Sequence, residues 1–227
     1  MNKNKIIGAV IVVIVVAVGW YTLSGHDSAN GTVALVNGTP ITRAQLTKAE
    51  SQIAAQQGLS ATSTAAQAQF QSNALDSLIA ETLLSQAAQK AGITASSSAV
   101  DAQVASAKSQ FSTPSEYQLA LAAQGMTEAD LRAQISKNFA INTYLEQQLN
   151  LANATATVAE IQAAYNQVKA QQAPGATPLQ PLAQVRTQVA QMIVQQKQQQ
   201  SVSAYVAQLR SVADVKILIA TSTATSY

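Results

Sequence analysis

"VALVNGTPITRAQL", residues 33–46, decides how the rest of the chain is read. Val33 to Val36 predict a very short strand and Asn37-Gly38 a turn. Thr42 reads as the cap of a helix whose Gln45 completes a capping box. A strand of four residues cannot stand alone, so this reading obliges a partner elsewhere in the chain. The one other convincing strand signal is "VKILI", residues 215–219, at the far end. Pairing 33–36 with 215–219 ties together the two ends of everything between them. The expectation is a mainly α domain closed by a small two-stranded sheet.

Between the two strands the sequence is helical signal with clear punctuation. Helices are expected over about 43–57, from 64 to near Lys90, and over about 98–110. Three more should run from Pro114 to before Gly125, from after Thr127 to about Leu149, and from the Thr157/Glu160 capping box to about Ala170. Leu75, Leu78, Ile79, Leu83 and Ala87 are spaced as one buried stripe, and Leu131, Ile135, Phe139, Leu145 and Leu149 lie on one face of the fifth helix. "QQAPGATPLQP", residues 171–181, breaks the series with three prolines and a glycine. A long helix follows from about Leu182 to Ser211, apolar at both ends, with "QQKQQQS" between. A helix locally polar all round bridges solvent or lies beneath a loose neighbour, and the exposed middle is the simpler reading.

Toward the N-terminus, "IIGAVIVVIVVAVGWYTL", residues 6–23, carries no charge over 18 residues, about 27 Å as a helix at roughly 1.5 Å per residue. Lys3 and Lys5 precede it and no basic residue follows until Arg43, so the positive-inside rule leaves residues 1–5 in the cytoplasm. The run is read as an uncleaved transmembrane anchor in contact with the lipid bilayer. A cleaved signal peptide is the rival, but its apolar core spans only about 7–15 residues. This implies a single-pass protein of the inner (cytoplasmic) membrane with its remainder periplasmic or extracellular. "SGHDSANGT", residues 24–32, reads as a tether, and residues 220–227 as a frayed tail.

Composition excludes several chemistries. Charged residues are 11% and aromatics 4%, and Ala, Gln, Ser and Thr dominate, which suits long helices with neutral polar faces. Net charge is +2, and the basic residues beyond Lys3 and Lys5 balance the acidic ones, so no nucleic-acid surface is indicated. With no cysteine, one histidine (His26, in the tether) and no phosphate-binding glycine loop, no catalytic residue, metal site or cofactor is assigned. Glu128 and Asp130 sit close together, but in a first helical turn, where they complement the helix dipole.

Taken together, "VALVNGTPITRAQL", "LDSLIAETLLSQAAQKAGITASSSAVDAQVASAKSQF" and "GMTEADLRAQISKNFAINTYLEQQL" resemble the N-terminal domain of the SurA, PpiD and PrsA group of extracytoplasmic chaperones. "VRTQVAQMIVQQKQQQSVSAYVAQLRSVADVKIL" resembles that group's returning helix and strand. The resemblance implies a SurA N-like helical domain over 33–170, completed by 182–219. Members commonly carry a parvulin-type prolyl isomerase between those two parts. Here residues 171–181 stand in its place, and eleven residues are too few for such a fold.

A chaperone without an energy source has to hold apolar segments weakly on an adaptable surface. The candidate client-binding residues are Phe111, Tyr117, Leu121, Met126, Tyr144, Tyr165 and Tyr205, with Tyr117 and Met126 flanking the short fourth helix. The expected function is ATP-independent binding of unfolded or nascent exported polypeptides. The alternative is an adaptor for one envelope assembly or export partner. A third reading, prolyl isomerisation, follows only from the family's usual label.

Overall fold

A computed structural model describes residues 31–57, 64–172 and 179–219. Among them are three strands, β1 (Thr32–Val36), β2 (Thr39–Thr42) and β3 (Val215–Ile217). The helices are α1 (Arg43–Gln57), α2 (Thr64–Lys90), α3 (Ser97–Lys108), α4 (Pro114–Ala123), α5 (Glu128–Leu149), α6 (Val158–Ala170) and α7 (Leu182–Val212), with a 3-10 turn at Leu151–Asn153. These residues fall into two compact units, one of residues 31–148 with 205–219, the other of residues 149–204.

In the first unit β1 pairs antiparallel with β3, Val36 opposite Val215 and Ala34 opposite Ile217. The expected two-stranded sheet is corrected, however, to a three-stranded one of order β2-β1-β3. The reason lies in the turn. Asn37 and Gly38 both adopt positive φ, 49° and 80°, the conformation of a two-residue hairpin turn whose twist matches its flanking strands. The chain therefore reverses at once, and Thr39 and Ile41 pair with Val36 and Ala34. Pro40 is tolerated because β2 lies at the sheet's edge. β3 is also shorter than the 215–219 expected, ending at Ile217.

The transmembrane anchor expected over residues 6–23 is corrected as well, and with it bilayer contact and the single-pass inner-membrane location. No helix among the described residues is long and apolar enough to cross a membrane. The long helices α2, α5 and α7 are studded with Gln, Asn and charged side chains, which hydrocarbon would leave unsatisfied. Residues 6–23 themselves, most of the tether, residues 173–178 of the connection and the tail 220–227 lie outside the described residues.

The core of this unit forms where the sheet meets the helices. Val33, Ala34, Val36 and Ile41 pack with Leu46 and Ala49 of α1 and with Leu75, Leu78, Ile79 and Leu83 of α2. Leu209, Ala213, Val215 and Ile219 cover it from the C-terminal end. Gln86 of α2 fastens the hairpin: its amide donates to the Val36 carbonyl (3.0 Å) and the Thr39 hydroxyl (2.8 Å), and its carbonyl accepts from Asn37 Nδ2 (2.8 Å). Asn37 also reaches the other terminus, donating from its backbone to the Asp214 carbonyl (2.8 Å) and accepting the Asp214 N–H on Oδ1 (2.9 Å).

In the second unit α6 and α7 form a hairpin. Glu160 of α6 meets Lys197 of α7 at 2.7 Å, while the Tyr165 hydroxyl donates to the Gln180 carbonyl at 2.9 Å. Positions rising along α6 thus meet positions falling along the returning chain, so the two helices are antiparallel. Among the described residues of 149–204, only Leu151, Ile161 and Val202 are buried apolar ones.

Candidate functional site

The sequence around α4 builds a corner. Thr113, in extended conformation, caps the helix by accepting the Glu116 N–H at 3.2 Å, and Pro114 occupies the first turn. The Glu116 carboxylate reaches back to the Ser112 N–H at 3.0 Å. Tyr117 and Leu121, one turn apart, therefore face the same way, and with Met126 and Leu131 they form a buried apolar cluster. Phe111 lies edge-on to Tyr117, ring centroids 5.7 Å apart, and remains 36% exposed. Lys108 Nζ sits 5.4 Å from the centre of the Tyr117 ring and pairs with Glu128 at 2.8 Å. The outward side of α4 carries Leu119, 68% exposed.

The structure thus brings together four of the candidate residues, Phe111, Tyr117, Leu121 and Met126. Tyr144 and Tyr205 meet elsewhere in the same unit, hydroxyl to hydroxyl, with ring centroids 6.1 Å apart. Burial and the neighbouring hydroxyl push the Tyr144 phenol up to about 12. Tyr165 belongs to the second unit, half-buried.

A buried ion pair joins α2 to α5. Glu81 and Lys137 are in direct contact, with Thr39, Pro40, Ile41, Gln45, Leu78, Thr82 and Ser85 around them. Burial raises the Glu81 pKa and outweighs the lowering by Lys137, so the desolvation of the carboxylate is the larger effect. The small cavity beside it has a volume of about 30 Å³, room for more than one water molecule. No cluster of potential metal ligands occurs among the described residues.

The second unit exposes apolar surface that the bulky-residue reading passed over. Val158, Val168 and Met192 are 66%, 53% and 60% exposed. Val158 follows the cap Thr157 directly, a position no neighbouring turn can shield. Conversely, the polar middle of α7 is not simply exposed. Gln198 is 2% exposed and donates from Nε2 to the Leu151 carbonyl at 2.9 Å. Lys197 donates to the Thr155 carbonyl at 2.9 Å and to Glu160, whose carboxylate also closes the capping box with Thr157. Lys197 first, then the Thr157 donors, hold the Glu160 pKa down at about 2. Gln198 sits one turn before Val202, in phase with the helix's second apolar stripe, which was the available signal.

Comparison with known proteins gives one match at the level of family. A family model described as the SurA-like N-terminal domain matches residues 2–145, ending within α5. No curated protein matches the chain. Among solved structures, one from work on PEB4 and Cj1289 is similar, with a TM-score of 0.45 and 14% identity over 84% of this chain and 100% of the other. That work describes the virulence factor PEB4 and the periplasmic protein Cj1289 of Campylobacter jejuni as two structurally related SurA-like chaperones.

Proposed function

We propose, from the premise that this chain belongs to the family of SurA-like N-terminal domains, that it is a periplasmic chaperone that holds unfolded exported polypeptides without consuming ATP. The observation that carries the reading is the placement of large apolar side chains in water on, or just before, helices that are held by other contacts. Phe111 and Leu119 stand out from the α4 corner, and Val158, Val168 and Met192 from the α6–α7 hairpin. Tyr117, Leu121 and Met126 would act from beneath, holding α4 and Phe111 in position. Surfaces of this kind bind any chain that presents apolar residues. The low charge of the protein, 11% of its residues, lessens discrimination among clients.

The test is suppression of aggregation of a chemically unfolded model protein by the full chain. Suppression at near-stoichiometric ratio is expected, weakened several-fold in the doubly substituted F111S/L119S protein with its circular dichroism unchanged. No suppression by a folded wild-type chain at several-fold excess overturns the reading. Affinity capture should return a diffuse set of exported proteins; a single stoichiometric partner would instead identify an adaptor.

A further inference from the structure

The α6–α7 hairpin is short of internal partners for its own apolar residues. At about 100° per residue, Val158, Ile161, Tyr165 and Val168 fall on one face of α6. Leu182, Val185, Val189, Met192 and Ile193 likewise share one face of α7. Of these nine, Ile161 alone is buried; the others are half-covered or exposed.

Two cations rim these stripes. Lys169 stands beside the α6 stripe and Arg186 beside that of α7, each just outside the apolar arc, and both are exposed. Glu160, the sole carboxylate among residues 149–204, is engaged with Lys197. Among the described residues neither Lys169 nor Arg186 takes part in an ion pair, and "APGATP", residues 173–178, holds no acid. Lys169, in the last turn of α6, suits the helix dipole. Arg186 has no such reason to be where it is: it is the fifth residue of α7, near the end where the dipole disfavours positive charge.

We infer that this hairpin is a binding surface for apolar polypeptide segments flanked by Asp or Glu, with Lys169 and Arg186 reading the flanking carboxylates. The inference rests on the chaperone reading and narrows its client class. Charge complementarity favours such a segment over a second copy of this chain, whose hairpin carries the same uncompensated cations. Two cations are also few for an anionic membrane, where each basic residue adds only about 1 kcal/mol.

The experiment is fluorescence anisotropy with the full chain and three labelled peptides sharing one apolar core, flanked by Asp, by Asn or by Lys. The Asp-flanked peptide should bind about tenfold more tightly than the Lys-flanked one, with the Asn-flanked peptide between. K169E/R186E should reverse that order without changing helicity, because both residues are exposed, and V168N/M192N should weaken all three peptides. Equal affinities, or an order unmoved by the charge reversal, overturn the inference while leaving aggregation suppression, and so the chaperone reading, intact. A concentration-dependent dimer abolished by V168N/M192N also overturns it, as does binding to anionic vesicles that competes equally with every peptide. Absence of both peptide binding and aggregation suppression removes the two together.

Discussion

Asn37, although exposed, ties the hairpin both to α2 and to the C-terminal end of its unit. It supplies a positive φ, the bond to Gln86 and two bonds to Asp214. Asn37→Ala should destabilise by about 2 kcal/mol in urea unfolding, from lost hydrogen bonds and the left-handed backbone. Asn37→Gly restores the backbone and should recover part of that. At Glu81 and Lys137 the two halves of one ion pair should respond unequally. Lys137→Met leaves a buried carboxylate without its counter-charge and should cost about 3 kcal/mol, whereas Glu81→Gln should cost less than half as much. Because the folded Glu81 pKa is raised, the stability it contributes is fully present below 4.5 and is lost as pH rises through the raised value. Glu160 behaves oppositely: its contribution is present above 4.5 and lost as pH falls through about 2. Glu160→Gln should flatten the acid side of the stability profile over that window, read by circular dichroism melts. At this scale the sequence shows the capping residues plainly, because Thr113 and Thr157 act on donors three residues away. It does not show Gln86 or Lys137, whose partners lie across the fold.

The helices were legible because their ends are marked chemically. Pro114, Thr127 and the Thr157/Glu160 box begin where capping physics says they should, and α1, α2, α6 and α7 start or stop within a residue or two of the expected bounds. β2 was missed because "TPIT" contains a proline and two threonines that also suit the approach to a helix, and only the Asn-Gly turn before it argues otherwise. The α6–α7 clasp is half-legible: the phase of Gln198 with Val202 marks the glutamine that turns inward, but its partner lies in a turn, Leu151–Asn153, that the sequence does not announce. Gln198→Ala removes the amide that satisfies the Leu151 carbonyl. It should raise amide hydrogen exchange in residues 151–161 by roughly tenfold, as loss of about 1.4 kcal/mol of local stability would, with α1 and α2 unaffected. Equal acceleration throughout would show that the contact is not local. Of the candidate residues, Phe111, Tyr117, Leu121 and Met126 could be gathered from the sequence because they lie on or just beside one short helix. Val158, Val168 and Met192 could not, since a helical stripe gives no sign of whether anything covers it.

Across the molecule burial is unevenly shared. One unit holds the continuous core from Val33 to Leu83, closed by Leu209 and Val215, while the described residues of 149–204 bury three apolar side chains. Amide exchange should therefore be slowest in α2 and β1 and markedly faster in α6, and matched protection would contradict this division. Leu75→Ala, within the larger core, should cost about 3 kcal/mol. The strand pairing that closes this core has a consequence in time. Val36 meets Val215, so at roughly 5 to 20 residues per second of synthesis the β1–β2 hairpin has to wait on the order of 10 to 35 seconds for its third strand to be made. A nascent copy thus passes through a long interval with one edge of β1 unpaired and the C-terminal side of its core open, and in that interval it has the same need of shelter as the chains it is proposed to protect.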